Sequence, residues 1–339
     1  MSEKHLLPMP YLTFCVLLVA GVCTAALAQV MGPEAYGIPS RFGMGAPVTT
    51  RLLAMGGVMS CVNDVQFTNP AFAAVQEDCD LGLRINTTDL DNGPRLTSFE
   101  AHYVHPLVPN QTGLQLTVLT LDSSSGSTTL PGMGPAAAAL SEDALVVDYG
   151  RRLGEQLAGG LSVLGYQHSK FSLASPLGPK YLDLSAEADY GFRGGVAYEY
   201  QPGDWLGVAY SYSQNTIKAN GLMLGGASRT VFHSDFFAIG ASRHLRPDTL
   251  AAVEFQRGTT GSGPSSSSTN SWHLGAEHIL PQGWALRAGL SDGSPSFGLG
   301  YANARWRLDY ACVSDWNDDA VGTLFGRSDT HSLHLSYRW

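Results

Sequence analysis

From Cys79 to the C-terminus, apolar side chains recur at every second residue in one segment after another. Leu81, Leu83 and Ile85 alternate with Gly82, Arg84 and Asn86; Leu206, Val208, Tyr210 and Tyr212 alternate with Gly207, Ala209, Ser211 and Ser213. A period of two is that of a β-strand, whose successive side chains point to opposite faces. Fourteen segments carry it, at about 79–88, 95–105, 111–121, 143–153, 156–167, 190–200, 204–214, 230–243, 248–257, 271–280, 283–291, 295–302, 304–315 and 330–339. The phase breaks at Tyr166 in the fifth and at Asp235-Phe236-Phe237 in the eighth. A soluble sandwich also alternates, but it hides its apolar face and shows a polar one to water. Here the polar positions mix small residues with charges of both signs, as the lining of a closed transmembrane barrel does.

The connections test that reading independently. Counted upward from the first strand, the even-to-odd links are short, among them Gly154-Glu155, Gln201-Pro202-Gly203 and Pro281-Gln282. Most odd-to-even links are long and rich in Ser, Gly, Thr and Asn, such as 122–142, 168–189 and 258–270; Asp292-Gly293-Ser294 is the short exception. Barrels of bacterial outer membranes alternate in this way, with short periplasmic turns and longer external loops. The N-terminus agrees. Tyr11 to Ala28 is a short apolar stretch after Lys4 that closes on Ala26-Leu27-Ala28, which reads as a secretory signal peptide, residues 1–28. A helical anchor would need roughly 20 spanning residues and no cleavage site behind them. Val22 before Cys23 is wrong for a lipoprotein site.

Charged residues make up only 14% of the chain, against about a quarter in a soluble domain, which fits a wall facing lipid. A net charge of -9 argues against nucleic acid as a partner. Cys61, Cys79 and Cys312 follow the signal peptide, an odd number that leaves a Cys61 to Cys79 bridge open without amounting to a disulfide framework.

The chain ends on His331-Ser-Leu-His-Leu-Ser-Tyr-Arg-Trp339, with Leu333, Leu335, Tyr337 and Trp339 on one stripe. This ending resembles the signal read by the bacterial barrel-assembly machinery, and implies that machinery and outer-membrane lipid as partners. Between signal peptide and barrel lie residues 29–78, with Arg51-Leu-Leu-Ala-Met55-Gly56-Gly57 and then Asn69-Pro70-Ala71. An arginine, a Met-Gly-Gly and an Asn-Pro-Ala resemble the N-terminal pattern of the FadL-like outer-membrane channel superfamily, which includes PorV- and PorQ-like proteins; Phe72 stands where the family usually has glycine. The resemblance implies that 29–78 forms a hatch inside a barrel of residues 79–339. It also implies passive passage of hydrophobic small molecules, or, alternatively, a PorV-like role as a non-transporting accessory subunit bound to secretion-system proteins. A general diffusion or structural barrel is a third reading, which a hatch disfavours. Independently of the family, Gly56 and Gly57 allow positive φ, and the apolar content of this stretch is too high for a solvated linker.

Inward phase is expected for Arg84, Glu100, Asp148, Arg193, Glu199, Glu254, Glu277, Arg287, Arg307 and Asp309, a mixed-sign network that would hold the hatch. Leu130 to Leu140, including Met133, and Leu222-Met223-Leu224 are apolar runs in expected external loops, either ligand-collecting patches or segments packed on each other. No catalytic site, metal site or cofactor is read from the sequence. Gly289-Leu-Ser-Asp-Gly293 matches G-x-S-x-G, but that chemistry needs a strand-to-helix elbow and the match straddles a hairpin. His102 and His105, like His331 and His334, are three apart and fall on opposite faces of a strand, and His233-Ser234-Asp235 are neighbours only in sequence.

Overall fold

The structure, a computed structural model, describes residues 49–64, 69–91, 95–123, 126–130, 134–174, 180–220, 228–262, 265–314 and 327–339. The expected signal peptide, the first part of the expected hatch, Met133 and Leu222 to Leu224 lie outside the described residues.

The strands are β1 (Asp80–Leu90), β2 (Leu96–Val108), β3 (Thr112–Ser123), β4 (Gly126–Leu130), β5 (Gly134–Arg152), β6 (Leu157–Ala174), β7 (Lys180–Gln201) and β8 (Asp204–Asn220). They continue as β9 (Ser228–Arg246), β10 (Thr249–Ser262), β11 (Ser265–Ile279), β12 (Trp284–Ser291), β13 (Ser294–Ala302), β14 (Trp306–Ser314) and β15 (Ser328–Arg338). Each pairs antiparallel with its neighbours, and β1 pairs with both β2 and β15, so the sheet closes on itself. Because β4 only prolongs β3 along β5, the closed wall has 14 staves. Closure is what membrane demands, since lipid offers no partner to an unpaired strand edge. Among the described residues no helix is long and apolar enough to cross a membrane.

Burial follows the alternation. Leu83, Ile85, Phe99, Leu206, Tyr210, Leu308, Leu333 and Leu335 are exposed on the outer face, while the polar residues between them are buried. Aromatic pairs gather where strands meet the periplasmic edge: Trp306 and Tyr337 rings are 4.8 Å apart, Trp284 and Tyr301 5.1 Å, and Trp339 stacks between Tyr337 and Tyr103. Such girdles mark the interfaces of an outer-membrane barrel.

Three expectations are corrected. The odd-to-even links are mostly strand: β5 begins at Gly134 and pairs back on β4, and β6 and β7 run on to Ala174 and from Lys180. Leu130 and Leu140 therefore lie in paired strands rather than loops. Beyond the lipid band a hairpin keeps its backbone ladder with no need for an apolar face, so its alternation fades while its pairing persists. The phase breaks also have causes. Gly165 is skipped between Leu145↔Tyr166 and Val146↔Leu164, a bulge, and Phe236 points inward onto the N-terminal segment while Phe237 faces out. Finally, Cys61 and Cys79 are both free thiols.

The periplasmic links are tight turns with positive φ at Asn110, Gly203 and Gln282. Asp292-Gly293 is positive at both residues (φ 46 and 97), the two-residue turn that lets this one external link be so short. Ser291 therefore ends a strand at a hairpin, with no helix behind it.

Candidate functional site

Residues 49–64 and 69–79 lie against the inner face of the wall and are almost entirely buried up to Val75. Their local structure follows from caps. Thr49 accepts a hydrogen bond from the Leu52 amide at 3.1 Å and starts a one-turn helix, Thr50–Ala54. Gly56 and Gly57, at φ 75 and 81, then reverse the chain, and a β-carbon on Gly56 would strike the backbone of Leu274 and Leu290. Asn69 accepts from the Ala71 amide at 3.1 Å and starts the 3-10 turn Pro70–Val75, with Pro70 in the first position, where its missing N–H costs nothing.

Two kinds of contact hold this segment. The first is steric. Gly113, Gly150, Gly160 and Gly195 face Pro70 to Ala74 and Asn69, Gly207 and Gly240 face Ser60 and Cys61, and Gly275, Gly289 and Gly298 face Ala54 to Gly56. A β-carbon at any of these would meet the segment at less than 3.0 Å, well inside van der Waals contact. Register sets several side by side: Gly113↔Gly150, Gly150↔Gly160, Gly160↔Gly195, Gly207↔Gly240 and Gly275↔Gly289. The result is a glycine track from β3 to β13 on which the segment lies directly, by its backbone at most positions and by side chains elsewhere, those of Asn69, Ser60 and Cys61 at Gly195 and Gly240 among them.

The second is polar. Arg51 donates to both oxygens of Glu277 (2.6 and 2.9 Å), Glu277 pairs with Arg287 at 2.6 Å, Arg287 with Asp309 at 2.7 Å, Asp309 with Arg307, and Arg307 with Asp64 at 2.6 Å. This chain of three arginines and three carboxylates runs from segment to wall and back, so each buried charge meets opposite ones. Burial alone would raise the Asp64 pKa, but the Arg307 and Arg51 guanidiniums hold its carboxyl well below the usual carboxylate range. Glu254 accepts from the amides of Met59 and Ser60 (3.0 and 2.6 Å), and Gln256 donates to Gly57 O at 3.0 Å. Asn69 Nδ2 reaches the carbonyls of Ser60, Val196 and Val208 at 2.8–3.1 Å.

Of the residues expected to face inward, Arg84, Glu100, Asp148, Arg193, Glu254, Glu277, Arg287, Arg307 and Asp309 are buried on the inner face. Arg84 pairs with Glu100, and Asp148 accepts from Ser162. Glu199 sits lower, at the periplasmic rim, half-buried and 3.3 Å from Arg152. It borders a cavity of about 350 Å³ with Asn63, Trp205 and Arg338. Sequence reading missed the glycine track, and it missed Phe72, whose ring meets Trp205 edge-on at 5.3 Å. It also missed an apolar patch on the inner face above the segment, made of Leu119 and Leu121 on β3, Ala144 and Val146 on β5 and Leu164 on β6. Beside Leu164 the β6–β7 ladder is interrupted between Val163↔Phe192 and His168↔Glu187. Among the described residues no group of three or more His, Cys, Asp or Glu could hold a metal ion.

No family model matches the chain, and no curated protein is similar to it in sequence. The fold is shared with solved structures. The Pseudomonas putida toluene transporter TodX superposes with a TM-score of 0.59 at 12% identity, over 92% of this chain and 99% of that one. The Ralstonia pickettii toluene transporter TbuX gives 0.58 at 13%, over 86% and 97%, and a Pseudomonas aeruginosa FadL homologue gives 0.58 at 14%, over 92% and 99%. The chain thus has the FadL-like outer-membrane barrel fold, and two of these neighbours are named as toluene transporters.

Proposed function

We propose that this protein is an outer-membrane channel for the passive passage of small hydrophobic molecules. The observation that carries the reading is the inner apolar patch of Leu119, Leu121, Ala144, Val146 and Leu164, set in an otherwise polar lumen and ending where the β6–β7 ladder is interrupted. A water-filled diffusion pore has no use for such a surface, whereas a hydrophobic solute gains by leaving water onto it. In this reading residues 49–64 and 69–79 are the hatch that closes the axial route below the patch, with Arg51, Met55, Gly56, Gly57, Asn69, Pro70 and Ala71 as its fixed points. The mixed-charge inner residues hold it in place. The toluene transporters with the same fold make a monoaromatic hydrocarbon the natural first probe.

The test is entry of labelled toluene into vesicles containing the purified barrel, compared with vesicles holding Val146→Glu or Leu164→Glu. Uptake above empty vesicles that falls several-fold in both variants supports the channel. A folded, heat-modifiable barrel that raises uptake no further than empty vesicles moves the PorV-like accessory role ahead of it. That role would call for secretion-system proteins as partners instead of a ligand.

A further inference from the structure

The inner face above the hatch is laid out in rows by the register. Gly113, Gly150 and Gly160 carry the segment; the next row outward is Gln115, Asp148 and Ser162, then Thr117, Val146 and Leu164, then Leu119, Ala144 and Gln167. Two acceptor atoms in these rows take no hydrogen bond among the described residues, although Asp148 also faces the charge of Arg193. Asp148 takes the Ser162 hydroxyl on Oδ1 and leaves Oδ2 without a hydrogen bond, and Gln167 leaves its Oε1 without one. Both side chains are enclosed, at 2% and 4% exposure. The orientation of the Gln167 amide is fixed by chemistry: its Nε2 donates to Glu142 at 2.6 Å, and the reverse orientation would set oxygen against oxygen. A buried acceptor that water cannot reach is costly, and such groups normally have partners.

The surroundings say what kind of partner is missing. Gln167 lies in the row of Leu119 and Ala144, directly above Val146 and Leu164, at the interruption of the β6–β7 ladder. Asp148 is four residues further down β5, about 13 Å at the rise of a strand. At Gln167 the open acceptor sits beside apolar side chains, whereas Asp148 shares its row with Gln115, Ser162 and the Arg193 guanidinium. A ligand that satisfies Gln167 must bring a hydrogen-bond donor on an apolar body.

We propose that the lumen above the hatch is a binding site for small hydrophobic alcohols or phenols, whose hydroxyl donates to Gln167 Oε1 while the apolar body lies on Leu119, Val146 and Leu164. The proposal rests on the channel reading and refines it: a bare hydrocarbon passes over the apolar row, but a hydroxylated one is held. Donor chemistry is the discriminating property. An ether of equal size presents only acceptors and repels Gln167 Oε1.

Benzyl alcohol and anisole are isomers that differ in this respect, and toluene reports on the channel itself. Entry of each at limiting concentration is measured into vesicles containing wild-type protein, Gln167→Leu or Gln167→Met, each first shown to be folded by its heat-dependent gel shift. Wild-type protein is expected to favour benzyl alcohol over anisole by roughly tenfold, the scale of one well-made hydrogen bond. That preference should vanish in both variants while toluene entry holds or rises. Equal entry of the two isomers through wild-type protein, or an unchanged preference in the variants, overturns the site while toluene entry leaves the channel standing. Failure of toluene to enter through wild-type protein overturns the channel reading and this site with it.

Discussion

Two sectors of the wall hold the same segment by opposite means. From β3 to β13 the contact is chiefly one of shape: glycines remove the β-carbons and the segment lies on the strand backbone, with Glu254 on β10 and Glu277 on β11 adding hydrogen bonds and an ion pair. On β14, β15, β1 and β2 the inner face is crowded with charge: Arg307 and Asp309, His334 3.6 Å from Asp309, Asp80 2.8 Å from His102 and 3.0 Å from Arg338, and the pair Arg84 and Glu100. There the lumen is filled by side chains of the wall itself. A shape contact tolerates no added atom but is indifferent to pH and salt. A buried ion pair tolerates modest changes of shape but fails when one partner loses its charge.

The largest effect should therefore come from a single methyl-bearing substitution in the glycine sector. Gly207→Val places a branched side chain where the Ser60 carbonyl now lies, and neither backbone can withdraw from a closed wall. The barrel should still assemble, with its heat-dependent gel shift intact, while residues 49–64 become open to protease and bilayer conductance rises. A segment that stays protected in this variant would mean that the track is not its seat. Deleting 33–76 gives the same open barrel by another route, and unchanged conductance there would make the segment a tail or docking element.

The difference between the sectors also explains what could be read from sequence. Charge at alternate positions is visible locally, so Arg84, Glu100, Glu277, Arg287, Arg307 and Asp309 were assigned to the inner face, where they are buried. The fourteen staves were legible for the same reason: each alternating segment announces itself within about ten residues. The glycines announce nothing. Gly113, Gly150, Gly160 and Gly195 each look like a small residue on a polar face, and only the register of four strands sets them in one row. The apolar patch was hidden likewise, because Leu119 and Leu121 follow Gln115 and Thr117 on the inward phase, where a reading of apolar-out and polar-in assigns no apolar residue. Strand ends were misjudged outside the lipid band, where alternation stops but pairing goes on.

In the charged sector the expected losses are graded. Asp64→Asn leaves the Arg307 guanidinium short of a partner, and removing one member of a buried pair costs about 3–5 kcal/mol. The loss should show as faster amide exchange over residues 49–64 with the wall unchanged. Because the Asp64 pKa is depressed in the folded protein, its contribution is fully present above the ordinary carboxylate range and is lost only as pH falls through the depressed value. The contribution of the Asp64 pairing to the protection of the segment should thus be flat from neutral pH down to about pH 4 in the wild-type protein. A midpoint near neutrality would contradict the pairing. A smaller loss, about 1–3 kcal/mol, is expected for Asn69→Ala, which strands the Val196 and Val208 carbonyls and uncaps Pro70–Val75. Trp339→Ser touches neither sector; it should lower the yield of assembled barrel and leave conductance per barrel unchanged.

The smallest effect should come from locking the segment where it already sits. At Gly240, unlike Gly207, the segment atoms that a β-carbon would meet are side-chain ends that can turn aside, Cys61 Sγ at 2.8 Å and Ser60 Oγ at 3.0 Å, so Gly240→Cys puts a second sulfur beside a native thiol that is buried and free. Mild oxidation should join them, tying the segment to β9 in a bond that dithiothreitol reverses. If solutes pass above a seated hatch and over the apolar patch, the oxidised and reduced proteins should carry toluene at nearly the same rate. If the hatch must leave its track for each passage, oxidation should stop uptake and reduction restore it. The glycine sector argues for the first outcome, because a segment fitted against nine glycines between β3 and β13 has to leave them together to move, whereas a side route needs only the interrupted β6–β7 ladder.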